Sequence, residues 1–140
     1  MTRRDQRFVV DTNVLISAAL FPHSRPGRAL RLILATGTLL ESPATLAELA
    51  EVIGRPKLDR YLTWDERELF LMALADRAEL AEPTTQLAVS RDPDDDRFLE
   101  LAVDGQATLI ISGDPHLLDL SPFKGIPVIT ADAFLRLHGS

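Results

Sequence analysis

Early in the chain an apolar run stops abruptly on a carboxylate: Arg7-Phe8-Val9-Val10-Asp11-Thr12-Asn13-Val14-Leu15-Ile16. Its first part suits a β-strand, Thr12 and Asn13 are good helix N-caps, and apolar residues resume after them. The run therefore reads as strand, acidic turn and helix. Asp11 could simply cap that helix, but Thr12 and Asn13 are expected to supply the cap. A carboxylate at such a turn lies at the carboxyl end of a strand, where open parallel α/β sheets collect their ligand chemistry. Asp11 then needs partners, and the rest of the chain has to bring them.

Strand and helix patterns alternate through that remainder. Pro22 to Gly27 reads as a turn, and Arg28 to Ala35 as a helix with Leu30, Ile33 and Leu34 on one side, closed by Gly37. Thr38 to Glu41 is a short strand. Ser42 and Pro43 start a helix that runs to about Ile53, before Gly54-Arg55-Pro56 stops it. Trp64 to Glu79 predicts an amphipathic helix capped by Thr63 with Glu66 three residues on, and its Trp64, Phe70 and Met72 are expected to pack. Leu80 to Glu82 is expected to be a short strand. A loop from Thr84 to Pro93 delivers Asp94-Asp95-Asp96 into a helix ending near Gly105. Thr108 to Ser112 is a buried strand, Asp114 to Leu120 a helical turn, Pro127 to Ile129 a last strand and Ala131 to Leu137 a closing helix. Five strands alternating with helices predict a three-layer α/β/α sandwich around a parallel sheet. Its order is expected to be flavodoxin-like or the variant 3-2-1-4-5, and the variant sets strands 1 and 4 on either side of the switch point. One domain is expected over residues 1–140, with its core at about 7–137.

Strand 4 is followed by Gly113-Asp114, so a second acid is expected in the crevice of Asp11. Helix geometry supplies two more. Asp95 shares a face with Phe98, Leu99 and Ala102, whereas Asp96 lies about 100° around the wheel and Asp94 belongs to the cap. Glu48 borders the apolar face of its helix beside Val52, whereas Glu51 points away. Four acids from four segments, with no histidine among them and no cysteine in the chain, are the ligand set of a hard cation such as Mg²⁺ or Mn²⁺. Carboxylates this close raise one another's pKa unless a cation is present. The chemistry that most needs such a site is phosphodiester hydrolysis, in which metal activates water and neutralises charge on the phosphate. A formal net charge of -6 argues against passive nucleic-acid binding, but acids gathered for a metal make a nuclease acidic on paper. No apolar run approaches the roughly 20 residues a bilayer needs, and no signal-peptide pattern is visible, so a cytoplasmic protein without membrane contact is expected.

The segments Val9 to Ile16, Ser42 to Ile53 with Glu48, Asp95 to Ala102, and Ile110-Ile111-Ser112-Gly113-Asp114 together resemble a PIN domain, in order, from about residue 7 to 137. The pattern is most similar to bacterial PIN proteins classed as toxins of toxin-antitoxin pairs, which share an Arg-Pro-Lys like Arg55-Pro56-Lys57. The resemblance implies a Mg²⁺- or Mn²⁺-dependent endoribonuclease with Asp11, Glu48, Asp95 and Asp114 as its acidic site. It also implies an RNA substrate, an antitoxin whose tail blocks the site, and a homodimer. Asn13 matches the family's Asn after the first Asp-Thr, and Ser112 stands where Thr is commoner but keeps the hydroxyl. Asn13, Ser112 and Asp96 are expected to support the acids by hydrogen bonds. Arg25, Arg28, Arg55 and Lys57 are candidates for RNA phosphate contact, although such charges ordinarily form a solvated face.

Other readings fit less well. A haloacid-dehalogenase-like phosphotransferase needs a second acid where Asn13 stands, and a receiver domain needs a lysine after the last strand, whereas Lys124 precedes it. A housekeeping RNA-processing nuclease, or a PIN fold kept as an RNA- or protein-binding regulatory module, remains the alternative.

Overall fold

Five short parallel strands form the middle layer: β1 (Arg7–Val10), β2 (Thr38–Glu41), β3 (Glu79–Leu80), β4 (Leu109–Ile111) and β5 (Val128–Ile129). The computed structural model describes residues 6–84 and 93–138, with the side chains of Pro93 and Asp94 excepted. The expected loop from Thr84 to Pro93 falls almost wholly outside those residues. The strands lie in the order β3-β2-β1-β4-β5, which is the 3-2-1-4-5 variant. Register aligns Phe8 with Leu39 on one side and Leu109 on the other, and Val10 with Ile111. Asp11 N donates to Ile111 O at 2.9 Å, one step past the end of β1. Asp11 and Ser112 therefore leave the sheet at the same level.

Alternation along the strands divides the core between two faces. Phe8, Val10, Leu39 and Ile111 pack with α1 (Thr12–Leu20), α2 (Arg25–Thr36), α3 (Pro43–Ile53) and α7 (Ala131–His138). Phe8 meets Phe134 of α7 edge to face, with centroids 5.5 Å apart. Val9, Leu40 and Ile110 face α5 (Pro93–Asp104) and α6 (Pro115–Leu118). Leu99 of α5 is fully buried there, and its truncation to Ala costs about 2–5 kcal/mol.

Several boundaries differ from expectation for local reasons. The turn after α1 is shorter than Pro22 to Gly27, because the Ser24 side chain caps α2 and Pro26 fits its first turn. Gly27 is required there, since a Cβ would lie 2.2 Å from Pro22 O. Helix α4 (Trp64–Arg77) has the expected Thr63 and Glu66 capping box but ends two residues early. Glu79 instead pairs with Leu40 as β3, and its carboxylate takes an ion pair from Arg7. The expectation that Trp64 and Met72 pack is overturned, for they are 66% and 64% exposed. Helix α4 rests mainly on α3 and buries only Arg67 and Leu74. The Trp64 ring lies over the Arg67 guanidinium at 4.4 Å instead. Among the described residues no helix is long and apolar enough to cross a membrane.

Candidate active site

Asp11 itself is the N-cap of α1, contrary to the expectation that Thr12 or Asn13 would fill that place. Its backbone is extended, and its Oδ1 accepts from Asn13 N at 2.9 Å. Thr12 is thereby released, and its hydroxyl donates to Glu48 Oε2 on α3. The second oxygen of Asp11 accepts from Ser112 Oγ at 2.6 Å, and the same Oγ accepts from Asp114 N at 3.0 Å. One buried hydroxyl thus sets the spacing between the two acids. Asp114 caps α6, its Oδ1 accepting from His116 N at 2.9 Å.

The electrostatics follow from that enclosure. Burial pushes the Asp11 carboxyl above its usual range; the hydrogen bonds from Ser112 and Asn13 pull it back, and the charge of Asp114 pushes it up again. Asp11 and Asp114 line one cleft of about 610 Å³, together with Asn13, Arg25 and Asp132. Asn13 supports Asp11 through its backbone N–H, while its side chain is exposed on the cleft wall.

The remaining expected acids are placed differently. Glu48 is half-buried, bonded to Thr12 next to Asp11 in the chain, and lines a separate cavity of about 280 Å³ with Arg55 and Arg97. Asp95 is half-buried with Oδ2 enclosed, whereas Asp96 is only 6% exposed. The helical wheel suggested the reverse. Helix α5 packs against α3 as well as β1 and β2, so burial on it reaches beyond the apolar stripe. Among the described residues no three acids, histidines or cysteines stand close enough to hold a metal together. The donor chemistry still fits a hard cation at Asp11 and Asp114. These are two oxygen donors on an open cleft, and Asp11 carries an unfavourable charge that a cation relieves. Mg²⁺ is ordinarily bound by one or two carboxylates and keeps several waters.

Of the basic candidates, Arg25 lies in the cleft and pairs with Asp132 at 3.3 Å. Arg55 pairs with Glu51 at 2.8 Å beside the smaller cavity, and Arg28 and Lys57 are exposed and line neither space.

Two residues escaped the sequence reading. Glu41, at the end of β2, is 1% exposed; Thr45 Oγ1 donates to its Oε2, and its Oε1 is buried with no hydrogen-bond partner among the described residues. Burial first, and then the nearby charge of Glu48, push its carboxyl up to about 7. The signal was present, since Leu39-Leu40-Glu41 ends on an acid as Val9-Val10-Asp11 does. Asp132 carried no signal beyond its position after the last strand.

The PIN domain family profile matches residues 7–116. An uncharacterized protein of Methanocaldococcus jannaschii is 37% identical over 116 residues, covering 81% of this chain and 74% of the relative. Among solved structures, a Pyrobaculum aerophilum protein is similar with a TM-score of 0.64 and 15% identity, over 96% of this chain and 91% of its own. A structure of VapBC2 from Rickettsia felis, bound to a DNA fragment from their promoter, is similar with a TM-score of 0.60 and 13% identity, over 88% and 97%.

Proposed function

This chain belongs to the PIN domain family, and from that premise we propose that it is a divalent-metal-dependent endoribonuclease acting in the cytoplasm as the toxin of a toxin-antitoxin pair. The observation that carries the nuclease reading is the pairing of Asp11 and Asp114 on one open cleft at the switch point, with their spacing set by Ser112. PIN domains are generally nucleases, and a metal held by Asp11 and Asp114 on an open cleft suits phosphodiester chemistry. Bound Mg²⁺ or Mn²⁺ would supply an activated water and neutralise charge on the phosphate.

Asp11 and Asp114 would hold the ion, with Glu48 and Asp95 acting on it through water, since no three of these acids stand close enough to bind it together. Ser112 holds the Asp11 carboxylate in place by donating to Oδ2. The Asn13 side chain stands on the wall where a substrate would lie. The toxin role, the antitoxin partner and a homodimer are drawn from the likeness in residue pattern to bacterial PIN toxins.

The test is cleavage of a mixed RNA pool by the purified protein with Mg²⁺ or Mn²⁺, beside EDTA and an Asp11→Asn variant shown to be folded. Products that need metal and vanish in the variant support the reading. Inert protein that nonetheless holds RNA or a protein partner tightly makes the domain a binding module instead.

A further inference from the structure

We propose that Arg25 is the cation that binds a phosphate of single-stranded RNA in the cleft, and that Asp132 occupies its guanidinium until the RNA arrives. This rests on the nuclease reading above and names how that site receives its substrate. Three acids, Asp11, Asp114 and Asp132, line the cleft, and Arg25 is the one Lys or Arg among the described residues lining it. In that reading the charges of Asp11 and Asp114 are offset by the ion, and Arg25 is the one lining side chain whose own charge attracts a phosphodiester. That side chain is directed by its pairing, Nε to Asp132 Oδ1 at 3.3 Å. A carboxylate and a phosphate offer a guanidinium the same kind of oxygen pair, so one can replace the other.

The exchange is energetically easy. The Arg25 and Asp132 side chains are 66% and 45% exposed, and a pair so open to water contributes little on its own. Asp132 is not stranded when Arg25 leaves, because Arg136 Nε lies 3.7 Å from its other oxygen, one turn along α7. Both partners ride on supported helix starts. Ser24 and Pro26 fix the first turn of α2, and Thr130 Oγ1 accepts from Ala133 N at the start of α7. Helices α2 and α7 pack directly against each other. Arg28, Arg55 and Lys57 lack this position, since none of them lines the cleft.

The experiment is steady-state cleavage of a fluorescent single-stranded RNA with Mn²⁺, beside anisotropy binding of the same RNA, for the wild type, Arg25→Gln, Asp132→Asn and the charge control Arg60→Gln, an exposed arginine that does not line the cleft. Arg25→Gln is expected to raise KM, and Kd with it, about tenfold, to change kcat less, and to flatten the dependence of log Kd on log salt by about 0.7. Asp132→Asn is expected to lower KM, because the competing carboxylate is gone. Arg60→Gln leaves both near wild type. An unchanged KM in Arg25→Gln overturns the proposal, as does an Asp132→Asn variant that loses affinity alongside it, which would make the ion pair purely structural. If the wild type binds RNA without cutting it, the anisotropy arm alone judges the inference while the nuclease reading fails. If RNA is neither bound nor cut, both fall.

Discussion

The ends of β1 and β2 carry the same device with opposite outcomes. Each strand runs into a buried carboxylate, Asp11 or Glu41. In each case one hydroxyl, from Ser112 or Thr45, donates to that carboxylate while accepting a backbone N–H, from Asp114 or Ser42. Each acid also feels a second one, Asp114 or Glu48, and each is pushed above its usual range mainly by burial. The difference is access. Asp11 opens on a cleft, so its unfavourable charge is available to a cation, whereas Glu41 Oε1 is sealed with no partner among the described residues. A buried acid at a strand end is therefore insufficient to make a site; the space in front of it decides.

The largest contrast should come from neutralising each acid in turn. Asp11→Asn is expected to lower RNA cleavage by about a thousandfold, the order for losing one group that stabilises reaction charge, while Glu41→Gln keeps cleavage within a few-fold of wild type. Equal losses in the two variants would erase the distinction between the two ends. EDTA in the same assay sharpens it, because Glu41→Gln keeps the Asp11 end intact and should still lose its cleavage when metal is removed.

Stability reverses the ranking. Between its ordinary 4.5 and about 7, folded Glu41 keeps a proton that the unfolded chain has released. Stability from this group is therefore highest below about pH 4.5, falls as pH rises to about 7, and is then level, a loss of about 3 kcal/mol. Glu41→Gln should remove that slope, so urea melts at about pH 8 should find the variant more stable than wild type by about that amount. The Asp11 shift has the same sign and leaves a residual slope. A variant less stable than wild type at that pH would mean that the Glu41 carboxylate is ionised and held by something other than Thr45.

The same contrast explains what the sequence made legible. The strand order and the pairing of Asp11 with the strand 4 turn follow from alternation and strand-end logic, which are local patterns. Asp11 is followed by Thr-Asn and Glu41 by Ser-Pro, both helix starts, so the local pattern alone does not separate the two acids. Sealing depends on which residues of distant segments stand in front of an acid. For that reason neither the enclosure of Glu41 nor the pairing of Arg25 with Asp132 could be read from spacing. The exposure of Trp64 was hidden for a related reason: a helix pattern gives a face but not what that face rests on, and α4 rests mainly on α3.

Removing the two hydroxyls should give smaller and opposite effects. Ser112→Ala leaves Asp11 with one hydrogen bond fewer and frees Asp114 N, so cleavage should fall by about 10–100-fold with a modest change in melting. Thr45→Val takes away the donor to Glu41 and half of the Ser42 capping box. It should destabilise the fold by about 1–2 kcal/mol and leave cleavage nearly intact in the surviving folded protein. If Ser112→Ala behaves like Thr45→Val, the Ser112 bond is a packing feature and the spacing of Asp11 and Asp114 is set elsewhere.

The smallest effect tests which end Glu48 belongs to. Thr12 is the covalent neighbour of Asp11, and its hydroxyl donates to Glu48, while the charge of Glu48 also raises Glu41. Thr12→Val keeps the shape and removes only that bond. If Glu48 serves the cleft, cleavage should fall about tenfold or less, the lower end of what an outer partner costs, and Glu48→Gln should lower it further. If Thr12→Val leaves cleavage untouched while flattening the pH dependence of stability, Glu48 acts on Glu41 instead. The active carboxylates would then be those that face the 610 Å³ cleft, because an acid whose held orientation is irrelevant to cleavage is not one that touches the reacting phosphate.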